Sequence, residues 1–253
     1  MQSKGVRVRK TEATEGIQWV EPKNWQEFGP IMFRLQAIPD QEFMLVFPEW
    51  FTSNEIGVWA PFEWDKAATA RTWIKDQYSA TLTFRFAQSC EKLELKWECE
   101  FRNGADKALT DLAAFNCLVL NWAPLFKDLA MERTWGTDQN GSSVLLKDVA
   151  KTQGQGKRTM QFYPAVDGID LEHTEKIADF GVISTACLSG DRIGVESKDG
   201  RWLVETIVEG PVAYFFNNWE ANHGCIHAAP LFGTVEPGES SIATGRIVFT
   251  RLK

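Results

Sequence analysis

Apolar and polar residues alternate with a period of two along several stretches of the chain. Between Leu93 and Phe101 every second residue is apolar, and the residues between them are charged. The segments Thr81–Phe86 and Trp202–Val208 repeat the alternation, and a final strand is expected at Ser241–Leu252. This pattern is typical of half-buried strands in an antiparallel sheet.

Dipeptides that favour tight turns recur between these runs: Asn103-Gly104, Asn140-Gly141, Asp167-Gly168, Asp199-Gly200 and Pro237-Gly238. Helical periodicity is confined to Asp65–Tyr78 and, more weakly, Ala105–Ala114. Neither a composition break nor a long linker divides the chain. The sequence therefore predicts one all-β domain spanning residues 1–253, a large antiparallel β-sandwich with at most two short helices.

Composition and charge narrow the classes of function. The chain has 253 residues and a net charge of −7, which argues against a nucleic-acid partner. A membrane-spanning helix needs about 18 or more consecutive apolar residues, and no uncharged apolar run in the sequence is that long. The polar N-terminus has no secretory pattern, so a cytoplasmic location is expected. The five cysteines form no CxxC pair, which predicts reduced thiols, with Cys99 on the apolar face of its strand.

The densest polar segment runs from Asn217 to His227 and holds two of the three histidines. If it is extended, His223, Cys225 and His227 lie on one face of a strand. Two interpretations stay open. His227 and His223 are predicted as general acid and base with Glu220 as their partner, or His223, Cys225 and His227 bind a metal ion. The spacing matches no established metal motif, so no metal is assigned to the predicted site, and the metal-binding interpretation is kept as the alternative.

Other side chains are predicted to complete a ligand site. Asp128 and Glu132, in a loop after an apolar strand, are candidate catalytic carboxylates, and Arg133 is a candidate clamp for the ligand. The chain has 11 tryptophans, and an indole can stack on the apolar face of a sugar ring. The remaining candidate binding residues are Asn217, Asn218, Trp219, Asn222, Trp59 and Trp64.

One short internal similarity is present. Cys117–Phe126 and Cys225–Phe232 both begin with cysteine and end in Ala-Pro-Leu-Phe. Two interpretations are possible: both strands end at a proline, which cannot continue a central ladder, or the two exits lie side by side at one end of the sandwich.

The C-terminal stretch Cys225–Ser240 reads CIHAAPLFGTVEPGES and is followed by Gly245–Phe249, GRIVF. It resembles the end of galactose-mutarotase-like proteins, in which a strand at the sugar site precedes a Pro-Gly-Glu turn and a closing strand. The resemblance implies an antiparallel β-sandwich whose concave sheet binds carbohydrate. In the epimerases of this superfamily the strand carries a catalytic carboxylate, whereas here it carries His227, so the resemblance implies sugar binding rather than that reaction.

Three functions follow from these observations. The chain is predicted to be a carbohydrate-active enzyme of the isomerase, lyase or hydrolase type. The alternatives are a non-catalytic carbohydrate-binding module and a metal-dependent enzyme that uses His223, Cys225 and His227. A carbohydrate is the expected partner, whereas the sequence indicates neither the sugar, nor a cofactor, nor the oligomeric state.

Overall fold

The computed structural model describes residues 16–19, 31–59, 63–64, 70–88, 92–149, 160–171, 182–220 and 223–253. These residues contain a single 3₁₀ turn, Leu146–Asp148, and no α-helix. None of the described segments is a helix that is long and apolar enough to cross a membrane. The prediction of an all-β fold with at most two short helices is confirmed.

The described residues contain twenty strands. In chain order they are β1 (Ile17–Trp19), β2 (Ile31–Leu35), β3 (Ile38–Val46), β4 (Trp50–Thr52), β5 (Gly57–Trp59), β6 (Glu63–Trp64), β7 (Ala70–Lys75), β8 (Tyr78–Gln88), β9 (Lys92–Asn103), β10 (Leu109–Ala114), β11 (Cys117–Val119), β12 (Thr134–Thr137), β13 (Ser143–Leu145), β14 (Met160–Pro164), β15 (Val182–Ile183), β16 (Ser189–Glu196), β17 (Trp202–Val208), β18 (Val212–Glu220), β19 (His223–Val235) and β20 (Ser240–Arg251).

The strands form two sheets. The 9-stranded sheet has the order β13-β12-β16-β17-β20-β9-β8-β7-β6. The 11-stranded sheet has the order β1-β2-β3-β11-β19-β10-β4-β5, with β18 pairing to β19, β14 to β18 and β15 to β14. All of these pairs are antiparallel except β14 with β15. Some neighbours in the 11-stranded sheet, such as β3 with β11 and β11 with β19, are far apart in sequence, so that sheet joins residues from across the chain.

The two sheets enclose a common core, and the alternation along the strands supplies its side chains. Cys99 on β9 lies opposite Leu82 and Ala243 and is fully buried, which confirms its predicted place in the core. Burial raises the pKa of the Cys99 thiol. The Trp97 ring lies 4.5 Å from the Phe47 ring, centroid to centroid, and so connects the two sheets.

Both predicted helices are wrong. Residues 70–75 of the segment Asp65–Tyr78 form β7, and Tyr78 begins β8 after a turn at Asp76, whose φ is +55°. Ala105–Ala114 contains a turn and then β10. The neighbouring strands β8 and β19 offer these segments a ladder of backbone hydrogen bonds, and this tertiary pairing outweighs their weak helical preference.

Both interpretations of the repeated Ala-Pro-Leu-Phe motif are also wrong. β11 and β19 are antiparallel neighbours, with Leu118 opposite Ile226, so the two motifs lead to opposite ends of the sheet. Pro230 does not end its strand. It lies within β19 at a register shift opposite Val212, where the ladder is already interrupted.

Candidate functional site

The 11-stranded sheet is apolar on both faces. One face packs against the 9-stranded sheet, and the other, which we call the far face, carries a second hydrophobic cluster. β18 shows the division: Tyr214 and Phe216 belong to the far face, whereas Phe215 and Trp219 belong to the core between the sheets. Ile169 and Leu171 also pack in the far-face cluster and cover part of it.

The far face brings the side chains of His223, Cys225 and His227 together, as the alternation along their strand predicted. The Nε2 atom of His227 lies 3.1 Å from the Sγ atom of Cys225. Asn218 lies opposite Cys225 on β18, and Val119 lies opposite it on β11. The strand is thus held on both sides, which fixes the positions of its three side chains.

Two further residues that sequence reasoning did not select join this group. Cys117 comes from β11, and its Sγ atom, that of Cys225 and a ring nitrogen of His223 all lie within 4.8 Å of one another. Glu49 follows β3, and a carboxylate oxygen of Glu49, the Cys117 Sγ atom and a ring nitrogen of His227 also lie within 4.8 Å of one another.

Backbone hydrogen bonds fix the position of Glu49. Its N–H donates to the carbonyl of Phe115 at 3.0 Å, and the Phe115 N–H donates to the carbonyl of Trp50 at 2.9 Å. The Glu49 side chain is half-buried, as is that of His223, whereas Cys117, Cys225 and His227 are at most 3% exposed. Glu49 and His223 are therefore the members of the group that solvent reaches.

Aromatic rings surround His227. The Phe216 ring lies 4.9 Å from the imidazole and the Phe115 ring 5.7 Å from it, centroid to centroid, and both stand nearly perpendicular to it. Among the described residues the buried Nδ1 atom of His227 has no hydrogen-bond partner. An unpaired polar atom in such a site has a free-energy cost that a ligand can relieve.

The ionisable groups shift one another's pKa values. Burial opposes ionisation of Cys225, but hydrogen bonding from Cys117 and the attraction of the His227 imidazole outweigh it and hold the Cys225 pKa well below its usual value. The hydrogen bond to Cys225 raises the pKa of His223. Burial, together with the hydrogen bond to Cys225, raises the pKa of Cys117. Burial likewise raises the pKa of Glu49. The arrangement therefore favours a thiolate at Cys225, beside the Cys117 thiol and the two imidazoles.

Two predicted binding residues face the core instead of this group. Asn217 is fully buried, accepts a hydrogen bond from the Tyr163 hydroxyl at 2.9 Å, and donates to the Met131 sulfur at 3.5 Å. Trp219 is 1% exposed and packs in the core between the sheets. Asn218 and Glu220, the residues that alternate with them, lie opposite Cys225 and His223.

The predicted loop residues lie in a hydrogen-bonded structure of their own. Asp128 is 4% exposed and accepts from the backbone N–H of Arg133 at 2.8 Å and from the Thr134 hydroxyl at 2.7 Å. The Arg133 guanidinium donates to the carbonyls of Leu125 and Lys127. Glu132 is exposed. The partners of Asp128 and Arg133 thus belong to the loop, to the start of β12 and to β16, and not to the far-face group.

The last three predicted binding residues are only partly covered by the structure. Trp59 lies on β5 opposite Trp50, and Trp64 lies on β6 opposite Arg71, but their side chains are outside the described part. Asn222 lies outside the described residues altogether. A signal for Cys117 was present in the sequence, because its segment repeats the motif of Cys225. No comparable signal marks Glu49.

Comparisons with known proteins concern the fold. No family model matches the chain, and the search of curated proteins finds no match. The structure is similar to the Slr1438 protein of Synechocystis sp. PCC 6803, with 12% identity, a TM-score of 0.46 and 90% of each chain covered. It is similar to a polysaccharide lyase with 10% identity and a TM-score of 0.46 over 93% of this chain and 32% of the lyase.

A third similar structure is a galactose mutarotase related enzyme from Lactobacillus acidophilus. The identity is 12% and the TM-score 0.44, and the match covers 94% of this chain and 95% of that one.

Proposed function

We propose that the far face of the 11-stranded sheet binds a carbohydrate and that the chain is a carbohydrate-active protein. The observation that carries this proposal is the convergence of Glu49, His223 and Glu220 on one apolar sheet face. Glu220 lies opposite His223 in the register of β18 and β19, and Glu49 approaches the same imidazoles from the end of β3. The far face therefore offers acceptors and donors of the kind that sugar hydroxyls bind.

Aromatic surface adjoins these polar groups. Trp50, next to Glu49 in the chain, is half-buried and packs against the far-face cluster. A sugar ring presents C–H groups on one side and hydroxyls at its rim, so an indole and neighbouring polar groups bind it together. The resemblance of the C-terminal motif, which implies a sugar site on β19, supports the same ligand class.

The second part of the proposal concerns catalysis. A proton-transfer reaction needs one group that accepts a proton and a second that donates one, within hydrogen-bond reach of the substrate. Glu49 and His223 are half-buried and can touch a ligand, and His227 lies beneath them. We propose these groups, with Glu220, as the acid and base of an isomerase-, lyase- or hydrolase-type reaction. A non-catalytic carbohydrate-binding module is the alternative.

Thermal shift with a panel of monosaccharides and uronic-acid oligomers tests the binding step, since a bound ligand raises the apparent stability. We expect at least one sugar to raise the Tm of the wild type, and Glu49→Gln and Trp50→Ala to abolish the shift. Glu100→Gln, an exposed change on β9, is the matched control and should retain it.

Chromatography and NMR of the same mixtures distinguish the enzyme from the binding module, since an isomerised sugar keeps its mass and must be recognised by its structure. New products that Glu49→Gln fails to form support the enzyme, and a bound but unchanged sugar supports the module. A complete absence of ligand-induced shifts would contradict both forms of the proposal.

A further inference from the structure

The thiols and imidazoles of the far face form a set of ligands for a soft or borderline metal ion. Cys117, His223 and Cys225 each place one donor atom within 4.8 Å of the other two, and His227 does so with Cys117 and Glu49. Bond lengths to zinc of about 2.0–2.3 Å place the donors of a tetrahedral site about 3.3–3.8 Å apart. The two groups share Cys117, and the His227 Nε2 atom lies 3.1 Å from the Cys225 Sγ atom, close to that range.

We infer that this cluster binds one transition-metal ion of the Zn²⁺ class through four side chains: Cys117, His223, Cys225 and His227. The inference goes beyond the proposed carbohydrate site. In the metal-bound form the imidazoles are ligands, so that Glu49 and Glu220, and not the histidines, would serve as acid and base. Two thiolates and two imidazoles favour zinc or a similar ion over Mg²⁺ or Ca²⁺, which prefer oxygen ligands.

The scaffold suits a fixed coordination geometry. Three ligands lie at alternate positions of β19, and the fourth lies on its neighbour β11, where Val119 is opposite Cys225. Both strands are interior in the sheet, with β3 on the outer side of β11 and β18 also paired with β19. Ligands on paired interior strands keep their spacing without a loop that must fold around the ion.

A second, independent observation points to a bound ligand. His227 is 1% exposed, and its Nδ1 atom has no hydrogen-bond partner among the described residues. The Sγ atoms of Cys117 and Cys225 lie beside this imidazole, Cys225 at 3.1 Å from its Nε2 atom. A metal ion would satisfy the thiolates and an imidazole nitrogen at once, because it binds their deprotonated forms.

Glu49 stands beside the four ligands as an oxygen donor. A carboxylate oxygen of Glu49 lies within 4.8 Å of the Cys117 Sγ atom and of a ring nitrogen of His227. Its side chain is half-buried, so it faces the side from which solvent and ligands arrive. With the imidazoles bound to metal, Glu49 remains the group of this cluster that is free to exchange protons with a bound sugar.

Cobalt substitution tests the site directly. The reduced full-length protein is dialysed against a chelator and titrated with Co²⁺. Tetrahedral thiolate coordination is expected to give thiolate-to-cobalt charge-transfer absorption and intense visible bands that saturate at one ion per chain. Zn²⁺ should displace the cobalt with the same stoichiometry, and elemental analysis of the untreated protein is expected to show the metal it carries.

Variants identify the ligands. Loss of an outer-shell partner typically weakens metal binding by about 10–100-fold. Cys117→Ser and His223→Ala each remove a direct ligand, so each should weaken Zn²⁺ binding by more than that. Cys187→Ser, a half-buried cysteine outside the cluster, is the matched control and should bind like the wild type. Circular dichroism checks that each variant folds, and His223, at the accessible side of the cluster, provides a test if Cys117→Ser fails to fold.

Three results would overturn the inference: no thiolate–cobalt absorption in the folded wild type, equal affinity in the folded His223→Ala variant, or thiol counting that finds Cys117 and Cys225 joined as a disulfide. These outcomes are distinct from a failure of the proposed function. The metal is measured without sugar, and the sugar-induced thermal shift is measured separately on the metal-free protein.

Discussion

His227 and Cys225 lie two residues apart on β19, and the imidazole Nε2 atom is 3.1 Å from the thiol Sγ atom. Alternation along the strand places both on the far face, and the Phe216 and Phe115 rings enclose the imidazole. The contact therefore joins a titratable pair in a buried, aromatic environment, which makes His227 both a packing residue and a member of the candidate site.

Replacing His227 by alanine should affect stability and chemistry together. His227→Ala leaves a void between two aromatic rings, and we expect the free energy of unfolding to fall by about 2–5 kcal/mol, as for other truncated core side chains. If the protein acts on a sugar, turnover by the folded fraction should fall by about 10²–10⁴-fold. Urea denaturation measures the first effect and product formation the second. His223→Ala, at a half-buried position, should cost less stability.

Trp97 should be one of the most costly core residues to truncate. Its indole is 3% exposed and packs across the sandwich against Phe47. We expect Trp97→Ala to lower the free energy of unfolding by about 3–5 kcal/mol. Glu98→Ala, its exposed neighbour on β9, should change it by less than about 0.5 kcal/mol. Similar effects of the two changes in urea titrations would contradict the assigned faces of β9.

Position 245 on β20 has room only for a glycine. A Cβ atom there would lie 2.2 Å from Cζ2 of Trp97 and 2.4 Å from the carbonyl oxygen of Ile207. Backbone cannot move aside easily, so Gly245→Ala should destabilise the fold by about 1–3 kcal/mol or more. Gly210→Ala is the control, because nothing lies within 4 Å of its Cβ position. In thermal melting, Gly210→Ala should have a clearly higher Tm than Gly245→Ala.

Replacing Asp128 by alanine distinguishes a catalytic role of this residue from a structural one. Its carboxylate accepts hydrogen bonds from the Arg133 N–H and the Thr134 hydroxyl and is 4% exposed. Asp128→Ala should lower the free energy of unfolding by about 1.5–3 kcal/mol, the worth of a hydrogen bond to a charged group. Sugar binding by the folded fraction should persist. Loss of activity with unchanged stability would instead support the catalytic role predicted from the sequence, and the exposed Glu132→Ala is the control.

The turn between β16 and β17 contains a carboxylate, that of Asp199, for which we expect a low pKa. Hydrogen bonds from the Ser197 hydroxyl and the Arg201 guanidinium lower the pKa of Asp199 from its usual 3.8 to about 2. A pKa depressed in the folded state stabilises the fold above about pH 4, and this contribution disappears as the pH falls towards 2. NMR titration should find the low value in the wild type. Ser197→Ala should raise it towards 3.8, and an unchanged pKa in that variant would contradict the assignment.

Local sequence patterns determined the long strands. Leu93–Phe101 alternates because β9 has one face in the core and the other towards polar surroundings, and this asymmetry is visible within a few residues. Trp202–Val208 alternates as well, but β17 is buried on both faces from Val204 to Val208. The same rule placed His223, Cys225 and His227 on one face. It failed for residues 70–75, where weak helical preference was overcome by backbone pairing to β8.

Only the tertiary structure decided which residues join the histidines. β18 is buried along both faces, so its sequence gives no sign that Asn218 lies opposite Cys225 while Asn217 turns into the core. Cys117 and Glu49 reach the site because β11 pairs with β19 on one side and with β3 on the other, although more than 60 residues separate each strand from the next in sequence. Such pairing depends on the packing of the whole sandwich, which no local pattern records.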